Sequence, residues 1–364
     1  MAAMSGGVDS SVAALLLKQA GYDVVGVTMC LGVKEAGESS RARCCGPDAI
    51  SDAKRVAEVL SIPHFVFDFS ANLEDTVIGR FVEEYRSGRT PNPCVDCNRF
   101  LKFDALLSRA LATGCEALAT GHYARVEEID GAYMLTRPKD ARKDQTYFLA
   151  GIRREALGSI LFPLASLTKD EVRAAAKAAR LPVAEKPESQ DICFVPDNDC
   201  GGFVAARSPE MGPGPIVDER GRVLGTHKGL AYYTIGQRGG LGIPAARPLY
   251  VTRIDPADNT IVVGNKEDLK KRGLVCSDVN VLVDDVPGRA TVKIRYAKKE
   301  APASIIRDTI NTMTVIFDEP QEAITPGQTV VFYQDDVVLG GGMIERALDD
   351  HCRTVHPSLP ITGA

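Results

Sequence analysis

The N-terminal half of the chain alternates short apolar runs with amphipathic stretches. Asp23 to Cys30 (DVVGVTMC) and His64 to Phe69 (HFVFDF) read as strands, and Ala117 to Tyr123 as another. Met1 to Met4 runs into a Gly-rich turn. Ser10 to Ala20, Asp48 to Leu60 and Asn72 to Ser87 read as the intervening helices. Such alternation predicts an α/β domain with a parallel sheet covered on both faces. Thr168-x-x-Glu171 is a capping box that opens a last helix, to about Arg180.

After Cys200 the pattern changes. Gly and Pro become frequent (MGPGPIVDERGRVLG) and short strands replace helices. From Cys276 onward, alternating segments recur (VNVLVDD, RATVKIRYA, ASIIR, TMTVIFD, QTVVFYQ, VVLGGGMIE), as in a small barrel or sandwich. The expected division is residues 1–198, 199–274 and 275–350, with a poorly ordered tail after Arg346 that fills 351–364.

Composition narrows the class. The 364 residues are 45% hydrophobic and 25% charged, ordinary for a globular chain of two or three domains. A net charge of −5 gives no general basic character, so contact with nucleic acid would need a local basic face. No apolar run reaches the roughly eighteen residues of a membrane span, and no signal peptide is visible. The expected location is therefore the cytoplasm, where the ten cysteines would be mostly reduced and available for chemistry, metal binding or packing.

Ser5-Gly6-Gly7-Val8-Asp9-Ser10-Ser11 lies between a strand and a helix. Backbone N–H groups at such a turn form an anion-binding concavity backed by the helix dipole. The glycines permit close approach, and Ser5, Ser10 and Ser11 add hydroxyls. Asp9 suits this place if it meets Mg²⁺ or caps the helix. The loop has no Walker lysine and is not GxGxxG. It resembles the SGGxDSS loop of the PP-loop ATP pyrophosphatases, which adenylate a carbonyl or carboxyl oxygen. Only four residues precede it, fewer than the usual five or six of a strand, so the first strand is expected to be clipped or to begin upstream.

Asn92-Pro93-Cys94-Val95-Asp96-Cys97-Asn98 contains one CxxC, and Asp191-Ile192-Cys193-Phe194 holds another cysteine. With no second CxxC or HxxxH, structural zinc is poorly supported. Sulfur transfer, by contrast, needs two thiols: one to carry persulfide sulfur and one to resolve it. Cys30, Cys115, Cys276 and Cys352 read as small buried hydrophobes, and Cys44-Cys45 as packing or site-lining residues.

The segments SGGVDSS, NPCVDCNRFLKFD, ATGHYAR, KDQTYFLA, ESQDICFV, YTIGQRGGLG, KIRYA and TPGQTVVFY, in this order across nearly the whole chain, resemble the bacterial tRNA-uridine 2-sulfurtransferase family. The resemblance implies a Rossmann-like PP-loop domain, a small β-rich central domain and a C-terminal β-barrel that contacts tRNA. It assigns the nucleophile to Cys97 and the persulfide to Cys193. It lays ATP across Ala3, Met4, Ser5, Gly6, Gly7, Val8, Asp9 and Ser10, against Met29 and near Gly121. Asn92, Pro93 and Cys94 match positions at the target base. His122, Lys143, Asp144, Gln145, Arg295, Tyr296 and Gln328 match tRNA contacts. An alternative stays open: Cys94, Cys97 and Cys193 as three ligands of a [4Fe–4S] cluster with one iron left to bind sulfide.

The activity so implied is ATP- and Mg²⁺-dependent 2-thiolation of the wobble uridine. The acceptors would be tRNAs for Lys, Glu and Gln, and a cysteine desulfurase or sulfur-relay protein would be the donor. Two rivals differ in what they need. PP-loop amidation or ligation, as in argininosuccinate, GMP or lysidine synthesis, needs no reactive thiols. A non-catalytic RNA-binding module would release no pyrophosphate.

Overall fold

The structure is a computed structural model that describes residues 1–32, 47–188 and 192–349. Cys44, Cys45, Cys352 and the expected tail 351–364 lie outside the described residues.

Strands β1 (Ala2–Ala3), β2 (Gly26–Cys30), β3 (His64–Asp68) and β4 (Leu118–Ala119) form a parallel sheet in the order β3-β2-β1-β4, extended by Ile160–Leu161. The first strand has two residues, yet its position is central: Ala2 pairs with both Gly26 and Ala119. Met4 N–H adds a bond to Val27 O at 2.7 Å. The strand expected over Ala117 to Tyr123 is reduced to Leu118–Ala119, because the chain leaves the sheet at Thr120 to build the site below.

Helices α1 (Val8–Gln19) and α2 (Pro47–Leu60) pack with the helix Lys169–Ala178 around Val12, Val56 and Val172. A second core, around Leu73, Phe81, Leu101 and Leu106, holds helices at residues 70–86 and 93–112. Both of these contain wide π turns, at Glu74–Ile78 and Cys97–Leu106. Such turns break regular helix spacing and are frequent at functional sites. The Thr168/Glu171 capping box forms as read, with Thr168 N–H donating to Glu171 Oε2 at 2.6 Å.

The middle segment is a four-stranded sheet in the order Tyr250–Asp255, Thr260–Gly264, Gly214–Asp218, Val223–His227, with its own core at Ile216, Tyr233, Val251 and Ile261. The C-terminal segment closes into a six-stranded antiparallel barrel. Its strands run Lys270–Val281, Met313–Glu322, Ala301–Arg307, Arg289–Lys293, Thr329–Gln334 and Val337–Leu348, and the last pairs back on the first. The final strand continues to Leu348, two residues past Arg346, after which poor order is expected from the sequence, because Leu348 pairs with Gly273. A hairpin from the first segment, Arg125–Ile129 with Ala132–Thr136, joins the barrel through Thr136 and Val337.

The barrel is tied to the first segment just before the CxxC. Gln328 Nε2 donates to Thr90 O at 2.7 Å, Thr90 N–H to Pro326 O at 2.9 Å, and Arg89 Nη1 to Glu345 Oε2 at 2.7 Å. Arg99 adds a two-pronged pair with Asp278 at 2.5 and 3.0 Å.

Candidate active site

The loop after β1 opens into a cleft of about 730 Å³. It lies beyond the carboxyl ends of parallel strands, where open α/β sheets bind ligands. Gly6 has φ +69°, and a Cβ there would fall 2.3 Å from Ala49 O, so only glycine fits this turn. The loop is braced internally. Ser5 N–H donates to Ser10 Oγ (3.1 Å), and Ser11 Oγ donates to Gly7 O (2.7 Å). Ser11 is thus fully buried in the loop's own support and offers no donor to the cleft.

Asp9 is not the helix cap that its sequence allowed. The N-cap is Gly7 and makes no side-chain cap bond. Instead Asp9 takes both of its oxygens to Lys169 Nζ, at 2.7 and 2.8 Å, and accepts from Tyr123 Oη at 2.9 Å. Lys169 also reaches Glu188 Oε1 at 2.8 Å, and Lys143 reaches Glu188 Oε2 at 2.8 Å. Burial pushes the Glu188 carboxyl up, but bonds from Lys143 and Lys169 more than offset it and hold it at about 2. Lys186 Nζ donates to Gly6 O at 3.0 Å and to Asp52 Oδ2 at 2.6 Å. Lys102, Lys143, Lys169 and Lys186 face the cleft against the carboxylates of Asp9 and Glu188. A local basic surface therefore exists within an acidic chain. Lys169, Lys186 and Glu188 were not singled out by sequence. The capping box marks Lys169 as the first residue of a helix, but no local pattern says what it meets 160 residues away.

Most of the predicted site converges here. Ala3, Met4, Ser5, Gly7, Val8, Asp9, Ser10, Met29 and Gly121 line the cleft, and so do Pro93, Cys94, Cys97 and Cys193. Gly121 packs on the loop itself: a Cβ there would lie 2.5 Å from Ser10 N. His122, Lys143, Gln145 and Tyr296 complete the wall. His122 Nδ1 bonds Thr120 Oγ1 at 2.7 Å, and burial together with nearby Lys102 holds its pKa well below the usual histidine range. Its imidazole is therefore neutral near pH 7. Gln145 Oε1 accepts from Tyr123 N–H at 2.8 Å. Tyr296 lies with its ring centroid 4.5 Å from that of Phe148.

Four predicted contacts lie away from the cleft. Asn92 borders a smaller crevice behind it, with Arg80, Asp96 and Arg99. There burial pushes the Asp96 carboxyl up to about 6 against the pull of Arg80 and Arg99. Asp144 is buried, paired to Arg137 at 2.6 Å and capping Thr146. Arg295 donates to Ile235 O at 2.9 Å and to Thr325 Oγ1, joining the middle segment to the barrel. Gln328 is committed to Thr90. Each polar head already has an internal partner, a competition that the sequence does not display.

The thiols differ in setting. Cys94 is exposed, Cys97 and Cys193 are half-buried, and Cys276 is buried, its thiol pushed up to about 12 by burial. Cys30 and Cys115 are half-buried rather than core residues. Among the described residues no three His, Cys, Asp or Glu side chains gather closely enough to hold a metal ion. The iron–sulfur alternative thus has no assembled ligand set in Cys94, Cys97 and Cys193, and no step is derived through a cluster.

Sequence comparison decides the family. Three family models match in succession: the tRNA methyl transferase HUP domain over residues 1–197, the tRNA methyl transferase PRC-barrel domain over 201–265 and the aminomethyltransferase beta-barrel domain over 271–344. The chain is 55% identical to tRNA-specific 2-thiouridylase MnmA 1 of Syntrophus aciditrophicus, over 95% of this chain and 92% of that one. The chain belongs to the tRNA-specific 2-thiouridylase family. Two further members are the enzymes of Carboxydothermus hydrogenoformans, 50% identical over 96% of this chain and 98% of that one, and Clostridium perfringens, 49% identical over 95% and 98%. Cys97 and Cys193 line the same cleft as the loop after β1. No helix among the described residues is long and apolar enough to cross a membrane.

Proposed function

We propose that this chain uses ATP to replace the 2-oxygen of the wobble uridine (position 34) of tRNA with sulfur. The observation that carries the reading is the shared cleft, which the loop residues Ser5, Gly7, Val8, Asp9 and Ser10 line together with Cys97 and Cys193. ATP is a substrate here, its phosphates on the loop and its adenine beside Met29. Mg²⁺ commonly takes one or two carboxylates plus phosphate oxygens, and among the described residues Glu188 is the carboxylate on the cleft wall that would hold it.

The uridine O2 attacks the α-phosphorus. The bond to the β-phosphate breaks, pyrophosphate leaves and the N3 proton is released, giving an O2-adenylated base. Adenylation turns a poor leaving group into AMP. The terminal sulfur of a Cys193 persulfide then adds to C2, and AMP departs. The Cys97 thiolate attacks the Cys193 sulfur, which frees the 2-thiouridine anion to regain its N3 proton and leaves a Cys97–Cys193 disulfide. A two-electron thiol reductant restores both cysteines. An extruded base gives the loop and the thiols access to one C2 carbonyl, with Pro93, Cys94 and Tyr296 as the nearest candidates to contact it. Lysine, glutamate and glutamine tRNAs are the proposed acceptors. A cysteine desulfurase or relay protein is the proposed source of sulfur, and the cytoplasm the proposed compartment. The three matched regions support division near residue 198 and a second one between 265 and 271, a few residues ahead of 274.

The test is nucleoside mass spectrometry of unmodified tRNA incubated with the protein, ATP, Mg²⁺ and a sulfide or persulfide source. A 2-thiouridine peak that requires ATP is expected. Cys97→Ser and Cys193→Ser should still release pyrophosphate on adding tRNA but form no 2-thiouridine. Full turnover by Cys193→Ser would overturn its assigned role.

A further inference from the structure

The loop lacks a lysine of its own and carries an acidic residue, an odd composition for a site that must hold a triphosphate. Cations arrive from far downstream. Lys169 and Lys186 stand on the cleft wall, but their donor inventories differ. An ammonium group has three N–H donors. Those of Lys169 face three carboxylate oxygens, Asp9 Oδ1 and Oδ2 and Glu188 Oε1, all within 2.8 Å. Those of Lys186 meet two acceptors among the described residues, Gly6 O and Asp52 Oδ2.

Charge separates them further. Lys169 and Lys143 are balanced by Asp9 and Glu188. Asp52, the partner of Lys186, is also claimed by Arg55, so two cations share one carboxylate beside the loop. The uncompensated positive charge is at Lys186, next to the backbone of Gly6.

We propose that these two lysines complete the nucleotide site: Lys186 is a catalytic residue that contacts the triphosphate, and Lys169 is a positioning residue that acts through Asp9. The inference rests on the adenylating function proposed above and adds residues to it. Lys186 places its third donor on the phosphates as charge shifts to the departing pyrophosphate, the role a loop lysine fills elsewhere. Lys169 neutralises Asp9 and draws its carboxylate away from the phosphate path. No redox change or co-reactant is involved.

The experiment measures tRNA-dependent pyrophosphate release by the full chain across ATP concentrations, with 2-thiouridine formation and thermal melting followed in parallel. Wild type must release pyrophosphate and thiolate tRNA; if it does neither, the proposed function fails before the lysines are tested. With wild type active, Lys186→Met should lower kcat for pyrophosphate release by about 10²–10³-fold, the size typical for loss of one transition-state donor. KM for ATP should change less, and Lys186→Arg should recover part of the rate. A Lys186→Met enzyme within threefold of wild type would overturn its role. Lys169→Met should raise KM for ATP about tenfold, and adding Asp9→Asn should return it toward wild type. Equal KM in the single and double variants would refute action through Asp9. Should Lys169→Met fail to fold, the double variant decides: recovery of folded, ATP-binding protein supports the pairing, and loss of both overturns it.

Discussion

Gly327 offers a sharp test of whether the barrel positions the sulfur chemistry. It has φ +87°, and an added Cβ would fall 2.8 Å from Thr90 N and 3.0 Å from Arg89 Cβ. Two terms follow for Gly327→Ala. The left-handed conformation costs a non-glycine residue about 1–2 kcal/mol. Relief of the contact needs the backbone at 89–90 to move by about half an ångström to reach normal separation. That segment has little slack, since Thr90 is held by Pro326 O and by Gln328, and it runs directly through Pro91 and Asn92 into the helix bearing Cys94 and Cys97. In a chain this long the strain term lowers Tm by only about 2–4 °C. A shift approaching 1 Å at reacting groups costs up to about 10²-fold in rate, so activity is the sensitive readout. The assay is the initial rate of 2-thiouridine formation under saturating tRNA and ATP, with ATP affinity measured alongside. Gly327→Ala should lose about 10–100-fold in rate with ATP affinity unchanged. Gly131→Ala is the control: φ is +77° there, but nothing lies within 4 Å of the added methyl. It carries the strain without the push and should thiolate normally. If the two variants show equal rates, the barrel does not set the geometry of the CxxC turn.

Other expectations follow from the same structure. Tyr296→Ala removes a ring that lines the cleft beside Phe148. It should raise the KM for tRNA about tenfold or more, from the 1–3 kcal/mol of base stacking, while ATP binding measured by titration calorimetry stays unchanged. His122 is held neutral by burial, its folded pKa lying below the unfolded value near 6.5. Below that pH the unfolded chain binds the extra proton, so stability is present above pH 6.5 and is lost as pH falls. The slope for one such site is at most about 1.4 kcal/mol per pH unit, and chemical denaturation between pH 7.5 and 5 should show His122→Gln losing less than wild type. Thr168→Ala breaks the capping box and should cost about 1 kcal/mol in the same denaturation assay at pH 7.5. Because Lys169 follows directly, a rise in KM for ATP should accompany it.

Local pattern alone determined a great deal. The strand–Gly loop–helix order, the Thr168/Glu171 box, the change to short strands after Cys200 and the two cysteine segments are statements about neighbours in sequence. Backbone sterics and side-chain periodicity act at that range. The family follows from eight such segments in order. Tertiary structure decided which polar heads are available. Asp144, Arg295 and Gln328 match tRNA contacts in sequence, yet each is taken by a partner inside the protein or across a segment boundary. Asp9 read as a cap, yet the cap is Gly7 and Asp9 meets Lys169. The hairpin at 125–136 joins the barrel through Val337, some two hundred residues away. Ion pairing and strand addition depend on distance in space, and a one-dimensional pattern carries no signal for which distant lysine meets which carboxylate. The cleft was therefore legible as a loop and two thiols, while its electrostatics belong to the folded chain.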